Sequence, residues 1–408
     1  MKAPAPPPVK RKVKNLGEKV IEALLTISGT VTSLTVLLIV FFLFKEGLGL
    51  FSQTPVSEGT VIAVSNQNPV KELSAHEIKE IFDQNITNWK EVGGQNAPIK
   101  IFSVDDITDY YTEEEIGADF EYLPQRLSDL MVKEPNLLAH FPEEYMAKDF
   151  KGHEIKLKNF TLGDFLLGRE WYPTITPAVQ MGVLSLILGT LWVSLGAILI
   201  ALPLGLATAI YMAEIASPRM RNLLKPIIEL LAGIPSVVFG FFGLVVIVPM
   251  IQNVFGLPVG ETALAGSIIL GIMALPTIIS VSEDAMRTTP RAMKEASLAL
   301  GANKWQTIYK VIIPYSLSGI STAAILGIGR AIGETMAVLM VTGNASVIPS
   351  TFLEPVRTIP ATIAAELGEA PQGGIHYQAL FALGCILFLM TLVINLTVDY
   401  VSAKREAK

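Results

Sequence analysis

The sequence is poor in the residues that build chemical sites. A single cysteine, Cys385, stands among 408 residues, which excludes an intrachain disulfide and a thiolate metal cluster. Four histidines occur (His76, His140, His153 and His376), and none has metal-ligand spacing to another, so no metal site is expected. No Gly-x-x-x-x-Gly-Lys-Ser/Thr loop is present, so the chain has no P-loop for nucleotide. No nucleophile–base constellation appears either, which argues against an enzyme. Charge is also scarce, at 17% of residues against 51% hydrophobic.

What the chain does have is apolar residues gathered in long runs. A helix needs about 20 consecutive apolar residues to cross a bilayer. Six runs of that kind lie near 20–44, 181–212, 233–253, 262–282, 315–343 and 379–402, so the chain reads as a polytopic membrane protein. The first run is too long for a signal-peptide core and has no small-residue cleavage site after it.

The net charge of −6 hides a division by segment. Basic residues gather at Lys10, Arg11, Lys12 and Lys14, at Arg219, Arg221 and Lys225, through 287–310, and at Lys404 and Arg405. In 45–180 acids outnumber bases about two to one, and 344–378 holds Arg357 as its one lysine or arginine. The positive-inside bias then places both termini and the 213–232 and 283–314 loops in the cytoplasm. Six spans put 45–180 and 344–378 outside. The boundaries expected are a basic tail 1–19, a first span 20–44, an insertion 45–180, a five-span core 181–402 and a tail 403–408.

The insertion reads as a small folded α/β unit. "GTVIAVS" and "APIKIF" alternate as strands, and "SAHEIKEIFDQ" reads as a helix opened by a Ser74–Glu77 capping box. After Phe102 the sequence turns acidic and less regular. Segment 217–232 reads as an amphipathic surface helix with Pro218 in its first turn.

One apolar run carries a pair of charges. "GIGRAIGETMAV" (327–338) holds Arg330 and Glu334 four residues apart, one turn apart on a shared helix face. A lone arginine at that depth costs several kcal/mol. A carboxylate at ~4 Å recovers on the order of 4 kcal/mol at an effective dielectric near 20. Gly329 and Gly333 form a small-xxx-small pair that invites a close helix neighbour. The expectation is that Arg330 is a transient anion site and Glu334 its resting partner, displaced when an oxyanion takes the guanidinium fork. A neutral staple inside the bundle is the alternative reading. Arg357 is expected either to attract the anion or to lie solvated at the surface.

The segment "EASLALGANKWQTIYKVIIP" (295–314) resembles the EAA loop of ABC-importer permeases. Ser297 stands for the second alanine of that motif, and Val311-Ile312-Ile313 for its Ile-x-Leu before Pro314. The resemblance implies that Glu295, Ala296, Ser297, Gly301 and Pro314 dock a separate ATPase. "LAGIPSVVFGFFGL", "GRAIGETMAVLMVTGN" and "EPVRTIPATIAAELGEAP" resemble the phosphate-specific permeases of the Pst system, PstC type.

That resemblance implies an all-α type I ABC importer permease with about six transmembrane helices and the α/β insertion between the first two. It implies inward phosphate movement in a prokaryotic plasma membrane. The implied partners are a sister permease (PstA type), two ATPase copies (PstB type) and an extracytoplasmic phosphate-binding protein (PstS type), all in a lipid membrane and without nucleic acid. No cofactor is expected on this chain; ATP and Mg belong to the ATPase. Residues 68–102 further resemble a fragment of phosphate-binding proteins. The acids Asp105, Asp106, Asp109 and Glu113 to Glu115 that follow would repel an anion, so the insertion is not expected to bind phosphate. Alternatives are a permease for sulfate, molybdate or a phosphonate, a phosphate-status sensor without flux, and a self-sufficient secondary transporter or channel.

Overall fold

In the computed structural model, residues 16–52, 59–117 and 119–406 are described. The expected basic tail lies outside them up to residue 15. Helix α1 (Leu16–Gly49) follows the first apolar run and extends past both of its ends. Its hydroxyl residues satisfy themselves locally: Thr26, Thr30 and Thr35 each donate to the carbonyl four residues back, which lets them sit in an apolar helix.

Residues 60–181 form the α/β insertion. Strands β1 (Thr60–Ser65), β2 (Lys100–Ser103), β3 (Leu137–Pro142) and β4 (Gly152–Glu154) make one sheet in the order β2-β3-β1-β4. β1 pairs antiparallel with β3 and β4, while β2 runs parallel to β3. Helix α2 (Ala75–Phe82) begins on the expected capping box, with the Ser74 N–H and hydroxyl both donating to Glu77. Helix α3 (Leu123–Lys133) covers the other face, burying Leu123, Leu127 and Leu130 against Phe102 and Phe141. Trp89 is fully buried, and its indole N–H donates to the Asn136 carbonyl at 3.0 Å. A last two-stranded ribbon, β5 (Trp171–Tyr172) with β6 (Gln180–Met181), leads into the membrane core.

The core centres on α4 (Leu184–Ile210), crossed by α7 (Ala263–Arg287). Small residues let the two backbones meet. A Cβ on Gly196 would strike Ser267, and one on Gly205 would meet Ile278 at 2.7 Å. The Ser267 hydroxyl donates to the Ala263 carbonyl at 2.8 Å and approaches that of Val193 on α4 at 3.2 Å. Between them in sequence come α5 (Pro218–Ala232), which starts at the expected proline, and the apolar segment α6 (Ser236–Phe255). After α7 the chain makes α8 (Arg291–Ala299), α9 (Leu317–Gly333), α10 (Met336–Val341), α11 (Ile359–Glu366) and α12 (Ile375–Glu406).

α12 lies along α1. Gly47 sits against Ala382 closely enough that a Cβ there would be 3.0 Å from backbone, and the Phe42 and Phe381 rings meet edge to face at 5.5 Å. Among the described residues, five helices are long and apolar enough to cross a bilayer. A sixth is reached if Lys304–Tyr315 and Leu317–Gly333, bent by 71°, count as one span. The fifth apolar run, 315–343, is interrupted farther on, where α9 ends at Gly333 and α10 begins at Met336.

Candidate functional site

The charged pair does not sit on one helix. α9 ends at Gly333, and Glu334 is extended (φ −74°, ψ 133°) before α10 begins at Met336. Glycine at the break removes the conformational restraint that would favour continuing the helix. Arg330 is thus in the last turn of α9, while Glu334 lies in the linker beyond it. No ion pair joins them among the described residues, which corrects the expectation of a masked arginine. Both side chains are half-buried.

Arg330 has no hydrogen-bonding or ionic partner among the described residues. Glu334 Oε1 receives only a long contact from the Ala337 N–H, at 3.5 Å. Glu334 lines a crevice too tight for water, together with Thr190, Val193 and Ser194 of α4, Leu270 of α7, Ala331, Ile332, Val338 and Thr358. Glycines 329 and 333 have nothing within 4 Å of a would-be Cβ. The close neighbour expected at that small-residue face is therefore not supplied by the described residues.

Arg357 is neither solvated nor free for an anion. It pairs with Glu366 at the end of α11. Glu366 also accepts the Trp171 indole N–H at 2.9 Å and lies 2.8 Å from His376 Nε2. Burial pushes the Glu366 carboxyl up, but the contacts with His376 and Trp171 and the charge of Arg357 more than offset it, so the group titrates below the ordinary glutamate range. This hub ties the end of the insertion (Trp171) to α11 and to the start of α12. Sequence reading missed it because no short-range pattern marks Glu366.

Glu283 was missed in the same way. It is buried in the last turns of α7, where Arg221 Nε donates at 2.8 Å, with Arg287 at 3.6 Å and Lys225 at 3.9 Å. Two of the three basic residues in the 213–232 loop thus turn inward, onto one carboxylate. Its signal in the sequence is an acid at the edge of an apolar run, facing a basic loop.

The residues singled out in 295–314 form a protruding knob. α8 ends at Ala299, and Gly301 turns the chain with φ 86°. Leu300 beside it is 89% exposed, and Leu298, Trp305 and Tyr309 are exposed as well. Glu295, Ala296 and Pro314 face outward, while the Ser297 hydroxyl is 3.0 Å from that of Thr307. Lys294 pairs with Glu214 at 2.5 Å, fastening α8 to the end of the second span. In the insertion, Asp105, Asp106, Asp109 and Glu113 to Glu115 are all exposed, and Asp106 already accepts the Ser103 N–H at 2.8 Å.

Residues 201–406 match the family model described as binding-protein-dependent transport system inner membrane component. Residues 45–119 match a PBP superfamily domain. The probable ABC transporter permease protein YqgH of Bacillus subtilis is 42% identical over 243 residues, covering 60% of this chain and 78% of the relative. The phosphate transport system permease protein PstC of Mesorhizobium japonicum is 37% identical, covering 60% and 79%. Among solved structures, the inward-facing MetNI methionine ABC transporter aligns with 55% of this chain and 94% of its own at 21% identity, with a TM-score of 0.42.

Proposed function

The chain belongs to the binding-protein-dependent transport system inner membrane component family, and on that premise we propose that it is the PstC-type permease subunit of an ATP-driven phosphate importer. It is a multi-pass inner-membrane transport component and not an enzyme. The observation that carries the reading is Arg330, a half-buried guanidinium at a helix break inside the apolar bundle. Intramembrane charges without a structural partner mark substrate paths. A guanidinium fork matches two oxyanion oxygens at once. The PstC-named relatives supply the oxyanion: phosphate.

The position of Arg330 at the helix break supports a transport step of the following kind. Arg330 offers the anion a bidentate contact at a point where the backbone changes direction. Glu334, on its own side of the break, keeps a negative charge nearby, so that binding stays weak enough for release. The open Gly329 and Gly333 face suits a sister permease of PstA type as the second wall of the path. The exposed Leu298–Gly301 knob, with Glu295, Ala296, Ser297 and Pro314 around it, docks one of two PstB-type ATPases, on which ATP and Mg act.

By the positive-inside bias, that knob and both termini are cytoplasmic, and residues 45–180 are extracytoplasmic. The binding protein is of PstS type. The insertion is no second phosphate site, since Asp106 accepts the Ser103 N–H after β2 and the neighbouring acids Asp105, Asp109 and Glu113 to Glu115 are exposed and would repel an anion.

The test is ATP-dependent uptake in proteoliposomes holding all the subunits. Phosphate is expected to enter and to outcompete sulfate, molybdate and phosphonates, and R330Q is expected to lose at least tenfold in uptake while still assembling. Undiminished phosphate uptake by R330Q would remove Arg330 from the path. Complete assembly without flux in the wild-type complex would favour a sensor.

A further inference from the structure

Thr358 stands at the N-cap of α11, where a threonine hydroxyl ordinarily accepts from the first-turn N–H groups. Here it makes no such bond. Pro360 in the first turn has no N–H to offer, and the Ile359 N–H is already taken by Thr190 Oγ1 at 2.9 Å. A residue of α4 has assumed the capping task. Thr358 is only 3% exposed, and its Oγ1 has no partner among the described residues.

Buried hydroxyls almost always find a partner, and one left unspent needs a reason. Thr358 lines the same water-free crevice as Glu334. Thr190, the other threonine there, is already committed, donating to the Leu186 carbonyl at 2.7 Å as it accepts from Ile359. Glu334 in turn has only the long contact with Ala337. A residue with a spare buried donor and one with an underused carboxylate therefore line the same crevice.

We propose that Thr358 is a positioning residue for Glu334, its hydroxyl donating to the carboxylate and holding it away from Arg330 while an anion occupies the guanidinium. This rests on the reading of Arg330 as the anion site. Without the hydroxyl, the carboxylate is free to turn back and compete with phosphate. Substrate then binds more weakly, while the maximal rate is little changed.

Reconstituted uptake over a range of phosphate concentrations tests this. T358V is expected to raise KM roughly tenfold, the lower end of the worth of a hydrogen bond to a charged group, and T358S to stay at the wild-type value. In the E334Q background T358V should add nothing, because the competing charge is gone. Where turnover in that background is too slow, phosphate binding to the purified complex followed by phosphorus NMR gives the same comparison. An unchanged KM in T358V, an equal effect of T358V with and without E334Q, or a T358S that behaves as T358V would overturn the proposal. Loss of uptake in R330Q together with a neutral T358V would overturn this inference alone. Normal uptake in R330Q would instead overturn the anion-site reading beneath it.

Discussion

Trp171 and Glu366 are 195 residues apart, yet the indole N–H of one donates to the carboxylate of the other at 2.9 Å. The same carboxylate holds Arg357 and His376. Around it, Phe165, Trp171, Val183 and Leu186 pack with Ile359, Leu380 and Leu383 in one apolar cluster. The insertion is therefore joined to the membrane core by a polar hub inside a hydrophobic seam, and not merely by covalent linkage.

Removing the centre of that hub leaves Arg357 partly buried with no counter-charge. Breaking such a pair from one side costs about 3–5 kcal/mol, more than the pair itself adds over an apolar substitute. Glu366→Ala is expected to lower the unfolding midpoint of the purified chain by several degrees. Trp171→Phe, which keeps an aromatic ring but loses the pyrrole ring with its N–H donor, should cost at least about 1–3 kcal/mol. Thermal unfolding in detergent checks both, and equal midpoints for wild type and Glu366→Ala would refute the hub.

The hub also sets a pH dependence. Glu366 titrates lower in the folded chain than in the unfolded one, so the unfolded state binds the proton more readily. Its contribution is complete above the ordinary glutamate value of about 4.3 and is lost as the pH falls through the lower folded value. The gap between the unfolding midpoints of wild type and Glu366→Gln should therefore be present at about pH 5, above the ordinary glutamate range. Below that the gap should narrow. A gap that widened in acid would mean that the folded value is raised.

Much of this was legible in the sequence, and the parts that were not share a cause. The apolar runs gave the spans, Ser74 with Glu77 gave the start of α2, Pro218 the start of α5, and Gly301 the turn after α8. Each of these signals is local, fixed by residues within a turn or two. The break at Gly333 was not legible, because the apolar period runs through it from α9 into α10 and only tertiary packing decides where the backbone turns. Arg330 stands out by its position in an apolar run, but pairing it with Glu334 assumes a helix that does not continue. Glu366, Glu283 and Thr358 matter through neighbours far away in the chain, and a single sequence cannot place those neighbours.

Glu283 makes the same point from the other end of the core. α5 has no fully buried residue; besides Leu231 packing on the core, Arg221, with Lys225 nearby, reaches one buried carboxylate on α7. Glu283→Ala would remove the buried counter-charge from Arg221 and Arg287, leaving Lys225 with Asp284 at 3.8 Å. The expected result is a destabilisation of about 3–5 kcal/mol and faster amide exchange across 218–232. Glu283→Gln, which can still accept from Arg221, should fall between the two. Unchanged exchange in 218–232 would show that α5 is held by other contacts.

The knob after α8 allows docking to be separated from folding. Leu300 is almost fully exposed, so Leu300→Asp removes apolar surface that the folded chain does not use, and its unfolding midpoint should match wild type. If the knob seats in a groove on the ATPase, the same change should cut co-purification of that subunit severalfold, because a buried carboxylate without a partner is strongly disfavoured. Gly301→Val acts differently. The site has open space around it, but its φ of 86° is one that a β-branched residue resists, at a cost of about 1–2 kcal/mol. It should loosen the turn and weaken docking by misplacing Leu300, with a small loss of stability as well. Full ATPase recovery with Leu300→Asp would show that the contact surface lies elsewhere on the loop, since no folding defect could account for that outcome.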